Sequence, residues 1–180
     1  MFFIGVLILL SDGLPILYRA SRVGQGGRIF HLYKFRSMSR HSEEKGGCLT
    51  LKNDSRITGI GRILRSSKLD ELPQLINVLK GEMSLIGPRP HRPHEVNLYE
   101  EWHKDRLLVK QGLTGLWQIK AQRIWPIHKN IRYDLYYLRK ASLVLDIRIL
   151  AATVPFILKA KSNHYNEENC IHTYNLPLSK

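Results

Sequence analysis

The sequence predicts an α+β domain, mostly helical, with one small β-hairpin. Three features of the 180-residue chain point there. Hydrophobic residues make up 43%, enough for a packed core and too many for an intrinsically disordered chain. Apolar residues recur at helical spacing in several segments from Leu69 onward. Two runs rich in β-branched and aromatic residues flank Gly24-Gln25-Gly26-Gly27.

Met1–Leu10 is almost unbroken apolar sequence, too short to cross a bilayer and without the basic leader or cleavage site of a secretory signal. It reads either as a buried core helix or as a helix entering one membrane leaflet, and the cationic body behind it favours the second. Ser11-Asp12-Gly13 ends it. From Pro15 to Met38, residues Ile16, Tyr18, Ile29, Phe30, Leu32, Tyr33 and Phe35 are spaced for two short strands joined by the glycine turn. Ser39–Asn53 is polar and reads as a mobile loop, and Ile57–Leu64 as a short helix.

Leu69, Leu72, Leu75, Ile76 and Leu79 share one helical face, with Gly81 placed to end it. Pro73 is tolerated only in a first turn, so this helix is expected to begin near Asp70; a cap at Ser67 would instead require a kink at Pro73. Gly87-Pro88-Arg89-Pro90 predicts a rigid extended turn. Beyond it, Glu95–Lys110 reads as a helix, Gly112–Gly115 as a turn, and Ile131–Lys140 and Leu143–Lys159 as helices, the last bent at Pro155. The tail from Lys161 is polar and expected to be loosely ordered.

Charge narrows the partner. Lys and Arg number 28 against 15 Asp and Glu, a formal +13, which suits an anionic ligand. The cations are interleaved with apolar residues, among them Arg19, Arg22, Lys34, Arg36, Arg62, Arg65, Lys68, Arg89 and Arg92. Such spacing gathers charge around a compact polyanion on folding. No zinc-finger, RRM or KH signature is present, which leaves a nucleic-acid-binding module as the alternative. Cys48 and Cys170 form no disulfide framework and no metal-ligand pattern, consistent with a reducing compartment.

The sharpest chemical feature is Asp70-Glu71, adjacent carboxylates expected at a helix start among Arg62, Arg65, Lys68 and Arg89. The helix dipole and the arginines are both expected to lower the Asp70 pKa. An ionised carboxylate cannot serve as a general acid, but it can attack phosphorus or ligate Mg2+.

The run from Gly61 to Pro90, GRILRSSKLDELPQLINVLKGEMSLIGPRP, resembles the bacterial sugar transferases, the polyprenyl-phosphate phosphoglycosyl transferases of the monotopic type. Further blocks agree in order: Arg22-Val23-Gly24 with Tyr33-Lys34-Phe35-Arg36-Ser37-Met38, then Gly112-Leu113-Thr114-Gly115-Leu116-Trp117-Gln118, then Asp134-Leu135-Tyr136-Tyr137 with Ser142-Leu143 and Leu145-Asp146. The resemblance spans about Pro15 to Leu158 and is similar to the branch that initiates exopolysaccharide or O-antigen synthesis.

That resemblance implies a monotopic, membrane-associated catalytic core with a shortened N-terminal hydrophobic helix. Residues 1–14 would be a partial membrane segment, 15–160 the catalytic domain and 161–180 a polar tail. It implies transfer of a sugar 1-phosphate from a UDP-sugar to polyprenyl (undecaprenyl) phosphate, with release of UMP, at the cytoplasmic face of the bacterial inner membrane. Asp70 would attack the phosphate carrying the sugar to form a phosphosugar–aspartyl intermediate. Asp70 and Glu71 would hold Mg2+. Arg89, Arg36, Lys34 and Arg65 would hold phosphate oxygens, with Gln118, Gln122 and Arg123 in the nucleotide or sugar region. The implied partners are the UDP-sugar, polyprenyl phosphate and lipid of the cytoplasmic leaflet, with a homo-oligomer left open and no nucleic acid. Two departures stand out. Met1–Leu10 matches only the returning half of the family's membrane helix, and Ala121-Gln122 replaces the usual Gly-Arg, with Arg123 one step later. The alternatives are a truncated, inactive member, or a non-catalytic basic module that binds nucleic acid or anionic lipid.

Overall fold

The computed structural model describes residues 1–40, 42, 54–120 and 127–159. Nearly all of the expected loop at 39–53, together with Gln122, Arg123 and the tail from 161, lies outside the described residues. Within them helix predominates and sheet is confined to two two-stranded pieces, so the mixed α and β character holds.

Helix α1 (Phe2–Asp12) ends where Gly13 adopts φ 69° and donates its N–H to the Leu9 carbonyl at 2.9 Å. Its inner face buries Gly5 and Ile8, and Ile8 packs with Phe35 and Leu64. The opposite face leaves Phe2, Phe3, Leu7 and Leu10 exposed, so α1 is a core helix on one side and an uncovered apolar surface on the other. No helix among the described residues is long and apolar enough to cross a membrane.

Strands β1 (Leu17–Val23) and β2 (Ile29–Phe35) form the expected hairpin, in register from Leu17 opposite Phe35 to Val23 opposite Ile29. Gly26 (φ 66°) and Gly27 (φ 78°) occupy left-handed conformations that close its turn. Phe30, Leu32 and Phe35 point inward, and Phe30 and Leu32 meet Met83. Asn77, fully buried, stands in for a further strand: it accepts from Tyr33 N–H at 3.1 Å and donates to the His31 carbonyl at 2.8 Å. That pairing satisfies the outer edge of β2 where it is covered.

Helix α2 (Gly59–Ser66) is capped by the Thr58 hydroxyl, which accepts from Gly61 N–H at 2.9 Å. Gly61 lies so close to the hairpin's exit that a Cβ there would sit 1.9 Å from the Ser37 carbonyl oxygen. The following helix departs from expectation. Residues Leu69–Glu71 form a 3-10 turn, and α3 (Gln74–Leu79) begins after Pro73 rather than near Asp70. The proline still stands ahead of the first turn, but Lys68 precedes Asp70 in a left-handed conformation (φ 60°) that breaks the helical path. Gly81 (φ 75°) ends α3 as expected.

Two further expectations need correction. Gly112–Gly115 is not a simple turn: β4 (Gly112–Thr114) pairs in parallel with β3 (Ser84–Ile86). Glu95–Lys110 is not one helix but α4 (Pro93–Val96), α5 (Glu101–Lys104) and a 3-10 turn over Asp105–Leu108. Local side chains cap each new start: Glu95 accepts from Arg92 N–H at 2.6 Å ahead of α4, and His103 Nδ1 accepts from Glu100 N–H at 3.0 Å ahead of α5. Helix α6 (Leu116–Lys120) follows β4, and α7 (Ile127–Lys140) starts earlier than expected. Helix α8 spans Leu143–Lys159 as expected and carries Pro155 in its interior. Ile149 of α8 is buried, and Thr153 Oγ1 meets Thr114 Oγ1 at 2.8 Å, which docks the helix on β4.

Candidate active site

The 3-10 turn at Leu69–Glu71 lies against β2, and this contact brings the carboxylates to the cations of the hairpin. Lys34 on β2 places Nζ 2.7 Å from Glu71 Oε1. Arg89 reaches the same oxygen from the far side, Nη2 at 3.4 Å. Arg65, on the last turn of α2, donates Nε–H to Ser37 Oγ at 2.8 Å, and its charge acts on Asp70. The structure therefore brings Lys34, Arg65 and Arg89 close to Asp70 and Glu71.

Arg89 stands on a turn fixed from several sides. Gly87 N–H donates to the Thr114 carbonyl at 2.9 Å, and Gly112 N–H to the Pro88 carbonyl at 2.8 Å. A Cβ on Gly112 would lie 2.1 Å from Gly87 N, and one on Gly115 would lie 2.2 Å from Gly87 O. Glycine is thus required where the two parallel strands converge behind Arg89. From below, the buried Arg106 donates Nη2–H to the Arg89 carbonyl at 2.6 Å while pairing with Asp134 Oδ2 through Nε at 3.0 Å and Nη2 at 2.7 Å. Its Nη1 donates to the Tyr99 hydroxyl, which meets His91 Nδ1. Burial raises the Asp134 pKa, opposed by Arg106.

The two carboxylates differ in ionisation. For Glu71, burial acts to raise the pKa, but Lys34 and Arg89 outweigh it and hold the carboxyl far below the usual glutamate range. Asp70 corrects the sequence expectation. Burial pushes its carboxyl above the ordinary aspartate value; Lys34 opposes the shift and Glu71 adds to it. The reason is that Asp70, 8% exposed, sits in a short 3-10 turn rather than at the mouth of an α-helix with a full dipole.

Among the described residues the Asp70 side chain accepts no hydrogen bond and forms no ion pair within 4 Å. A nearly buried carboxylate in that condition calls for a cation. No cluster of three or more His, Cys, Asp or Glu able to hold a metal occurs among the described residues. Magnesium does not need one, because it is commonly held by one or two carboxylates plus substrate phosphates. The donor set of Asp70 and Glu71 fits that habit.

Other expected residues lie elsewhere. Arg36 is buried and turns to the end of α1, donating to the Asp12 and Gly13 carbonyls at 2.8 and 2.7 Å and pairing with Asp12 Oδ2 at 3.0 Å. It anchors α1 to the hairpin and is not brought to the carboxylates. Gln118 donates back to the Leu113 carbonyl at 3.1 Å and closes the turn between β4 and α6. Gln122 and Arg123 lie outside the described residues.

Residues without an expected role also support the site. The Lys68 charge acts on both carboxylates from its left-handed position. Arg106, Tyr99 and Asp134 fix the Arg89 turn. A pairing across 28 residues such as Arg106 with Asp134 leaves no local signal, although a non-glycine residue cannot be read as left-handed from sequence either.

A profile described as bacterial sugar transferase matches residues 1–160. Among similar proteins is a UDP-glucose:undecaprenyl-phosphate glucose-1-phosphate transferase of Xanthomonas campestris pv. campestris, 43% identical over 169 residues, covering 88% of this chain and 35% of that protein. The undecaprenyl-phosphate galactose phosphotransferase of Salmonella typhimurium is 40% identical over 163 residues, covering 82% of this chain and 34% of the other. The exopolysaccharide production protein ExoY of Sinorhizobium fredii is 34% identical over 173 residues, covering 88% and 76%. The chain thus spans about a third of the first two proteins' length and most of the third's.

Proposed function

The chain belongs to the bacterial sugar transferase family, and from that premise we propose that it transfers a sugar 1-phosphate from a UDP-sugar to polyprenyl phosphate and releases UMP. The observation that carries this reading is the Asp70-Glu71 pair, with Glu71 locked between Lys34 and Arg89 and Asp70 left without a hydrogen bond among the described residues.

The chemistry divides into two displacements at one phosphorus. In the first, an Asp70 oxygen bonds to the phosphorus carrying the sugar, and the bond from that phosphorus to the oxygen of UMP breaks with the electron pair leaving on UMP. In the second, an oxygen of the lipid phosphate bonds to the same phosphorus and the Asp70–phosphorus bond breaks, regenerating the carboxylate. Because burial makes Asp70 more basic than a hydrated aspartate, its oxygen is the better nucleophile of the pair. Glu71, held ionised, fixes Lys34 and Arg89, whose charges face the transferring group. The planar fork of Arg89 suits two phosphate oxygens at once. Magnesium bound at Asp70 and Glu71 would neutralise further charge on the diphosphate.

The uncovered apolar face of α1, with Phe2, Phe3, Leu7 and Leu10 exposed, supports a place at the membrane where the lipid acceptor resides. We place the protein at the cytoplasmic face of the inner membrane, initiating a surface polysaccharide. The test is UMP release by the full chain in nanodiscs, with Mg2+, polyprenyl phosphate and a panel of UDP-sugars. UMP that depends on all three supports the reading; salt-sensitive nucleic-acid binding without UMP release would overturn it.

A further inference from the structure

Arg36 is not brought to the carboxylates, and its own surroundings leave part of it unsatisfied. Its Nη2 serves the end of α1, donating to the Asp12 and Gly13 carbonyls and pairing with Asp12 Oδ2. Nε and Nη1 are buried and meet no hydrogen-bond acceptor. Donors buried in that state are costly, and they call for an acceptor that the described residues do not supply.

Arg36 borders an open cleft of about 450 Å³ where the chain passes from α1 into β1, lined also by Pro15, Leu17, Tyr18 and Arg19. Pro15, Leu17 and the Tyr18 ring give it apolar walls, and the two arginines give it positive charge. Arg19 is exposed, with its guanidinium 5.6 Å from the centre of the Tyr33 ring. A third cation approaches the same helix end, since a Cβ on Gly13 would lie 2.6 Å from Arg40 Nη2. The apolar surface continues beyond the cleft. Leu14, next to Pro15, is 60% exposed, and Leu10, on the last turn of α1, is 79% exposed. Guanidinium donors beside a path of uncovered hydrocarbon suit a ligand that is anionic at one end and apolar along its length.

We propose that this cleft holds the phosphodiester headgroup of one membrane phospholipid, its oxygens on Arg36 and Arg19 and its hydrocarbon along Pro15, Leu17 and the exposed leucines of α1. Two observations favour a phospholipid over polyprenyl phosphate. The Asp12 carboxylate beside Arg36 repels the dianion of a monoester more than the single charge of a diester. Arg36 is also absent from the charges that act on Asp70 and Glu71, so a phosphate held by Arg36 is not the reacting one. The bound lipid joins α1 to the hairpin and sets the depth of the helix at a bilayer surface. This site stands independently of the transferase reading.

The test is binding to the full chain in detergent, followed by calorimetry and native mass spectrometry. The probes are dihexanoylphosphatidylglycerol, glycerol 3-phosphate, dihexanoylglycerol and decyl phosphate. The proteins are wild type, Arg36→Lys, Arg19→Gln, and Arg28→Gln as a control for net charge on an exposed residue. Wild type should bind one phosphatidylglycerol, and the probes lacking either the chains or the phosphate should bind more weakly by about tenfold or more. Arg36→Lys keeps the charge but loses the unsatisfied donors, and Arg19→Gln removes the second cation. Each should weaken phosphatidylglycerol by about tenfold, the scale of a charge-assisted hydrogen bond, while Arg28→Gln binds as wild type does. Arg36→Lys also loosens the hold on α1, so a thermal melt accompanies it, and Arg19→Gln at its exposed strand position decides the matter where that melt falls. Unchanged affinity in Arg19→Gln overturns the site, as does an equal loss in Arg28→Gln. Tighter binding of decyl phosphate than of the diester overturns the phospholipid as its occupant. Wild-type protein that forms no UMP from any UDP-sugar sinks the transferase reading and leaves this comparison intact.

Discussion

Glu71 gives one carboxylate oxygen to two cations, Lys34 at 2.7 Å and Arg89 at 3.4 Å, and is thereby kept ionised and still. Asp70, one residue away, has neither partner within that reach. Under the proposed reaction, adjacent carboxylates in one turn take different work: Glu71 orders the positive charge and Asp70 makes the bond. Arg89→Lys should retain the charge but lose the planar fork, so kcat should fall by about tenfold or more while the fold is kept. Steady-state UMP release and a thermal melt check the two halves of that expectation. The gathering of cations around position 70 was legible in the sequence from the adjacent acids amid arginines. Its ionisation was not, because burial is a property of the packed chain and reversed the direction expected from the dipole. Arg36 illustrates the same limit, since its partner Asp12 lies 24 residues away on another element.

At the scale of elements, the turn that presents Asp70 is held in a conformation its own sequence disfavours. Lys68 at φ 60° costs about 1 kcal/mol that glycine would not incur. Lys68→Gly should therefore raise unfolding stability by about that amount, measured by denaturant titration, while turnover falls because the ammonium acting on both carboxylates is gone. Gly61→Ala should act oppositely. Its Cβ would collide with the Ser37 carbonyl, separate α2 from the hairpin and cost about 1–3 kcal/mol of stability in the same titration. The hairpin was legible because glycine turns and β-branched runs are strong local signals, and α8 because its apolar pattern is long. Strands β3 and β4 were not. Three residues cannot display alternation, and their parallel pairing joins segments 28 positions apart. The break between α4 and α5 was not legible because His103 caps α5 at Glu100 only once the chain has turned.

Across the whole molecule, the buried Arg106–Asp134 pair ties α7 to the chain segment behind Arg89. Asp134→Ala should destabilise the protein by about 3–5 kcal/mol, because it leaves an uncompensated guanidinium in the interior. A thermal melt monitored by circular dichroism checks this, and loss of UMP release should accompany partial unfolding. On the outside, the exposed apolar side chains of α1 and the +13 charge suit different partners: the first suits lipid, and the second suits the phosphates carried by the two proposed substrates.

In the proposed reaction these scales meet in one event, the bond between Asp70 and phosphorus. Full chain in nanodiscs, mixed with a cognate UDP-sugar and Mg2+ but no lipid acceptor, should gain the mass of one phosphosugar by intact-protein mass spectrometry. Polyprenyl phosphate should remove the adduct, and Asp70→Asn should never form it. An adduct on Asp70→Asn, or sugar-phosphate transfer by wild type with no adduct at any time, would contradict the account.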